Sequence, residues 1–187
     1  MLKQIFKYTI ISVIFSFFVG SCTKDVDFDQ INDFEIYPVL ESSLVHLDEP
    51  ASRFYIDGYE VAVIQDSVSI DVFNNQFAID NLIKAELVLE MTNSINRGLD
   101  VQVDFFDAAN QLRHAFTVSV APSPNNEEIV SQHTEVFEGN SLIALKQTTK
   151  LILTLRTRSG SPINEGTPGR IGLKSKGVFY LKIDNSI

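Results

Sequence analysis

The sequence predicts an all-β protein, an antiparallel β-sandwich. Apolar residues alternate with polar ones over segments bounded by Gly, Pro, Asn and Asp, the period-two signature of strands with one buried face. No stretch of a dozen residues has a convincing helical apolar face, so the sheets must pack on each other rather than on helices. The chain has 187 residues, and the part that follows its first apolar run suits one domain, able to bury about two-thirds of its unfolded surface.

Three strands are the clearest. Ala85, Leu87, Leu89 and Met91 face one way while Glu86, Val88, Glu90 and Thr92 face the other. Leu99, Val101, Val103 and Phe105 then alternate with Asp100, Gln102 and Asp104. After the turn-like Asp107-Ala-Ala-Asn110-Gln111, His114, Phe116, Val118 and Val120 alternate with Ala115, Thr117 and Ser119, so the three form a meander. Weaker strand patterns cover 34–40, 44–47, 53–57, 61–64, 67–73, 134–138, 150–157 and 171–183. Residues 34–64 read as a loosely packed amino-terminal strand pair on a single domain spanning 34–187. Asn140–Lys146 permits one or two helical turns capped by Asn140, or an edge strand.

Residues 1–21 read as a signal peptide: Lys3 and Lys7 with no acid, then an apolar run from Tyr8 to Val19 too short for a membrane span of about 20 residues. Val19-Gly20-Ser21-Cys22 resembles the bacterial lipobox, and Cys22 is the only cysteine. The resemblance implies a lipoprotein, with diacylglycerol on the Cys22 sulfur and an acyl chain such as palmitate on the new amino terminus. Each buried methylene contributes about 0.8 kcal/mol, so two or three chains hold a protein at a bilayer. Residues 22–33 read as an acidic flexible tether, and Cys22-Thr-Lys24-Asp25-Val-Asp27 resembles the export signal of Bacteroidota surface lipoproteins. The expected location is the outer membrane, on the cell surface.

Loss of residues 1–21 removes two lysines and no acid, leaving 13 Lys and Arg against 24 Asp and Glu, a formal charge of −11. That balance disfavours nucleic acid as a partner. With one cysteine an internal disulfide is impossible.

The motifs of chemistry are incomplete. Asp25-x-Asp27-x-Asp29 opens like a calcium loop, but Gln30 and Ile36 stand where the turn glycine and the bidentate glutamate belong. His46, His114 and His133 are isolated in sequence, without zinc spacing, and His114 reads as a half-buried edge residue. There is no G-x-S-x-G, and Gly166-Thr-Pro-Gly169 lacks the lysine of a phosphate loop. The expectation is therefore no cofactor, no metal and no enzyme: a lipid-anchored binding or accessory protein of the envelope, engaging an envelope protein or a glycan. A glycan-binding alternative rests on Tyr55 and Tyr59, since the chain has no Trp, and requires both on one flat face. A hydrolase would need acids or a histidine converging in a cleft.

Leu87-Val-Leu-Glu-Met-Thr-Asn93, Leu99 to Asp107 and Asn110-Gln-Leu112 resemble the LEA14-type sandwich, which implies a LEA14-like or immunoglobulin-like arrangement and no activity. In a sandwich, loops separated by two traverses share an end. The connections 93–98, 121–133 and 158–170 then gather at one end, and 107–111 and 139–149 at the other. Long loops on a rigid scaffold commonly carry recognition. Arg158 and Arg170 are expected near Glu127 and Glu128, with Arg97 beside them, as a mixed-charge binding rim.

Overall fold

The computed structural model describes residues 35–71, 73 and 75–184, and residues 35–183 form one compact unit. The signal peptide, Cys22 and the tether lie outside the described residues. The strands are β1 (Glu35–Ile36), β2 (Val39–Pro50), β3 (Tyr55–Ile56), β4 (Tyr59–Glu60), β5 (Val63–Ser69), β6 (Leu82–Asn93), β7 (Leu99–Asp107), β8 (Leu112–Val120), β9 (Ile129–Phe137), β10 (Thr148–Thr157), β11 (Arg170–Leu181) and β12 (Ile183–Asp184). A 3-10 turn covers Ala51–Phe54, and two helices, α1 (Gln76–Asn81) and α2 (Gly139–Lys146), interrupt the strands.

The fold is an all-β, antiparallel sandwich of two four-stranded sheets, ordered β2-β11-β6-β9 and β5-β10-β7-β8. Among these eight long strands the first pairs with the last, the second with the second-last, the third with the third-last, and the two central ones with each other. The pairings β11 to β6 and β10 to β7 complete each sheet. This is one long antiparallel ribbon rolled into two layers, a jelly roll. Within the sandwich class it departs from the immunoglobulin-like or LEA14-like arrangement, because β2 joins β11 rather than a sequence neighbour.

The core forms where the alternation is strictest. Leu87, Leu89 and Met91 of β6 meet Val101, Val103 and Phe105 of β7, Leu151, Leu153 and Leu155 of β10, and Ile171 and Leu173 of β11, all buried. Phe105 packs edge-on to Phe137 with ring centroids 5.3 Å apart. At about 25 cal/mol per Å² of apolar area, this interior is the dominant stabilising contribution.

Residues 34–64 are no loosely packed pair. β2 pairs with β11 from Pro50 opposite Arg170 to Val39 opposite Tyr180, and Ala51 and Phe54 are fully buried. The pattern at 44–47 lies wholly in this one long strand, that at 34–40 is divided between β1 and its start, and those at 61–64 and 67–73 overlap β5 only at 63–64 and 67–69. The cap of α2 lies two residues earlier than the sequence suggests: Glu138, not Asn140, occupies it, and its N–H donates to Ser141 Oγ at 3.0 Å. Leu142 and Leu145 bury the inner side of this helix.

Candidate functional site

Four loops meet at one end of the jelly roll: 51–62, 94–98, 121–128 and 158–169. Asn93, the fully buried last residue of β6, organises them. Its Nδ2 donates to the carbonyls of Arg97 (2.9 Å) and Ala121 (2.8 Å), and its Oδ1 accepts from the Ile95 N–H at 2.9 Å. Ser94 extends the join: its N–H donates to the Arg170 carbonyl, its Oγ accepts from the Arg170 N–H at 2.8 Å, and its carbonyl accepts from Asn126 Nδ2. The 121–133 and 158–170 segments thus share an end, as the count of traverses predicts.

Arg97 turns inward. Its guanidinium, with the side chain only 10% exposed, lies 3.0 Å from Glu60 Oε1 and donates to the carbonyls of Arg158 and Ser161. The other oxygen of Glu60 accepts from the Ile163 N–H at 3.0 Å. Arg97 is therefore a positioning residue that ties 51–62 to 158–169, not a free group on the rim.

Arg158 and Arg170 also differ from the expectation that they face Glu127 and Glu128. Arg158 lies 3.6 Å from Asp100, and Arg170 donates to Asp48 Oδ1 at 2.8 Å. The Arg170 hydrogen bond holds the Asp48 carboxyl below the usual carboxylate range, and Asp48 in turn raises Arg170. Glu127 is exposed and uses its carbonyl to accept from Ser123 Oγ. Glu128 does share a surface with Arg170. Together with His46, Asp48, Glu90, Thr92, Ser94 and Lys174 they line a trough of about 330 Å³ on the outer face of the β2-β11-β6-β9 sheet. Gly172 lies in the middle of this face, opposite Asp48 and Thr92, so no side chain fills the trough there.

Tyr55 and Tyr59 do not form a platform. They belong to a hairpin whose Asp57-Gly58 turn has φ of +53° and +87°. Tyr55 opposes Glu60 and Tyr59 opposes Ile56, so the two tyrosines point to opposite faces. Tyr59 is 77% exposed, and Ile56 lies on the surface beside it.

Sequence reasoning missed two clusters. On the β8 and β9 edges, Glu135 lies between His114 Nε2 (2.7 Å) and His133 Nε2 (3.1 Å), with Phe116 and Phe137 against the imidazoles. The three residues clasp the edges of opposing sheets. Among the described residues no His, Cys, Asp or Glu group has the geometry to hold a metal ion. The second cluster is a cleft of about 180 Å³ between the β2 and β5 edges, where Glu49 and Asp66 stand over Leu153, Leu155, Ile171 and Leu173. The signal for it is a carboxylate in an inward register position, visible only once the strand's face is known.

No helix among the described residues is long and apolar enough to cross a membrane. No family model matches the chain, and no curated protein matches its sequence. Among solved structures, a protein of Parabacteroides distasonis ATCC 8503 described as secreted is similar over 63% of this chain at 12% identity, with a TM-score of 0.45. The VP2 subviral particle of infectious bursal disease virus is similar over 79% at 13% identity, with a TM-score of 0.39. The enzymatically active domain of tailspike protein 4 of bacteriophage CBA120 is similar over 79% at 9% identity, with a TM-score of 0.36. The chain spans 37%, 33% and 19% of their respective lengths. Likeness this slight carries no argument about function.

Proposed function

We propose that this protein is a lipid-anchored binding protein of the bacterial envelope that engages a polar protein partner through the trough at its loop end. One observation carries the reading: a concavity bearing charges of both signs, Arg170 and Lys174 against Asp48, Glu90 and Glu128, on a loop end tied together by Asn93, Ser94 and Arg97. A surface with both signs favours a partner with complementary charges over a uniformly charged polymer. The lipobox-like Cys22 supports an anchored location, and the acidic tether gives the domain reach from the bilayer.

The test uses the soluble domain to capture partners from detergent-solubilised envelopes, beside a panel of envelope glycans. Wild type and Gln147→Lys, at the far end, should capture the same protein, and Arg170→Glu should lose it. Because the Arg170–Asp48 pair is exposed, its loss costs the fold little, and a weakened capture then reports recognition. Equal capture by Arg170→Glu, or saturable glycan binding that Arg170→Glu leaves unchanged, overturns this reading.

A further inference from the structure

We propose that the free edge of β2 is a strand-addition site for an extended polypeptide whose cleft-facing residue is basic. The inference rests on the reading of this chain as a binding protein, but it concerns a different surface from the outer trough alone. Among the described residues β2 is the outermost strand of its sheet, twelve residues long, and pairs only with β11. It separates two concavities. In register with Leu173 and Ile171, Leu47 and Glu49 face the cleft between the sheets; in register with Lys174 and Gly172, His46 and Asp48 face the trough. A strand added about 4.8 Å beyond β2 would send alternate side chains into the two, so that main-chain hydrogen bonds supply affinity and the concavities supply specificity.

The cleft selects the residue. Its floor is the buried core, lined by Leu153, Leu155, Ile171 and Leu173. Its walls carry Glu49 from β2 and Asp66 from β5, which occupy inward positions opposite Ile171 and Leu153. Neither acid forms an ion pair within 4.0 Å of a cation among the described residues. Arg53, from the 3-10 turn, also lines the cleft, so acids outnumber permanent cations there. A cleft of about 180 Å³ is the size of one side chain rather than of a whole ligand, which needs roughly 300 Å³ or more. A lysine or arginine fits both requirements: its methylenes lie on the apolar floor and its charged head reaches the carboxylates. Inward charges on edge strands also repel apolar strands, which would protect β2 from self-association while leaving it open to a basic one. β5 is the other free edge beside the cleft, but it has seven residues and does not border the trough.

The test is a titration of the isotope-labelled domain with a soluble octapeptide alternating Val and Lys, followed by amide shifts and hydrogen exchange. The expected result is saturable binding, slowed exchange along β2 with shifts at Leu47 and Ile64, and at least a tenfold weaker affinity for the same peptide with Glu in place of Lys. N-methylation of alternate peptide nitrogens should abolish binding to the wild-type protein, and Glu49→Gln with Asp66→Asn should weaken it severalfold. Absence of binding, indifference to N-methylation, indifference to the Lys-to-Glu exchange, or protection along β5 instead of β2 overturns the proposal. The N-methylated peptide needs no protein variant, so a misfolded mutant does not blur the result. The capture of an envelope partner through Arg170 stands or falls separately.

Discussion

Two residues at the loop end do most to hold it, and each fixes backbone rather than burying area. Asn93→Ala would leave the Ile95 N–H and the carbonyls of Arg97 and Ala121 without their partner, a destabilisation of about 2–4 kcal/mol measurable by urea unfolding. Gly169 has a φ of +103°, and a Cβ there would lie 2.4 Å from the Ser94 carbonyl oxygen. Gly169→Ala should therefore cost about 3 kcal/mol and accelerate amide exchange at Ala51, which donates to the Gly169 carbonyl. At the opposite end Asp107 holds the β7–β8 turn. Its carboxyl is kept below the ordinary range, chiefly by the Gln111 N–H and further by Arg113 and the Ala109 N–H. A depressed carboxyl stabilises the fold above its unfolded value, near pH 4, and the contribution is lost as pH falls through the lower folded value. Thermal melts of wild type and Asp107→Asn should differ at neutral pH and converge under acid; a gap that widens on acidification would contradict this assignment.

At the level of elements, the central strands are legible in the sequence and the edges are not. β6, β7 and β8 alternate cleanly because their inward positions, His114 apart, are mostly apolar, but they form no meander: β6 lies between β11 and β9 in one sheet while β7 and β8 pair in the other. β9 inverts the pattern: Ser131, His133 and Glu135 occupy the positions opposite the core residues Met91, Leu89 and Leu87, while Val130 and Val136 face solvent. Residues 129–133 therefore escape a reading based on hydrophobic period, and the same exchange at Glu49 and Asp66 hides the inner faces of β2 and β5. The shared loop end follows from counting traverses, which is insensitive to these inversions. The charge pairing at that end does not, because Asp48 and Asp100 reach their arginines from strands rather than from loops. In α2, Ser141→Ala should cost about 1 kcal/mol in a melt, since it removes the acceptor of the Glu138 N–H.

For the whole molecule, the pairing of first strand with last is non-local and leaves no mark on any short window, which is why the jelly roll could not be told from other sandwiches by pattern alone. The proposed anchor is testable apart from the fold. Cys22→Ala should abolish metabolic labelling by a fatty acid without shifting the melting temperature of the domain, and label persisting in that variant would remove the lipobox reading. The central claim is that recognition takes place in the trough at the loop end. A photo-reactive amino acid placed at Glu128, on the trough, and separately at Thr117, on the outer face of the other sheet, tests it in living cells. The account predicts one discrete cross-linked partner from position 128 and none from position 117. The same partner from both positions, or from 117 alone, would contradict it.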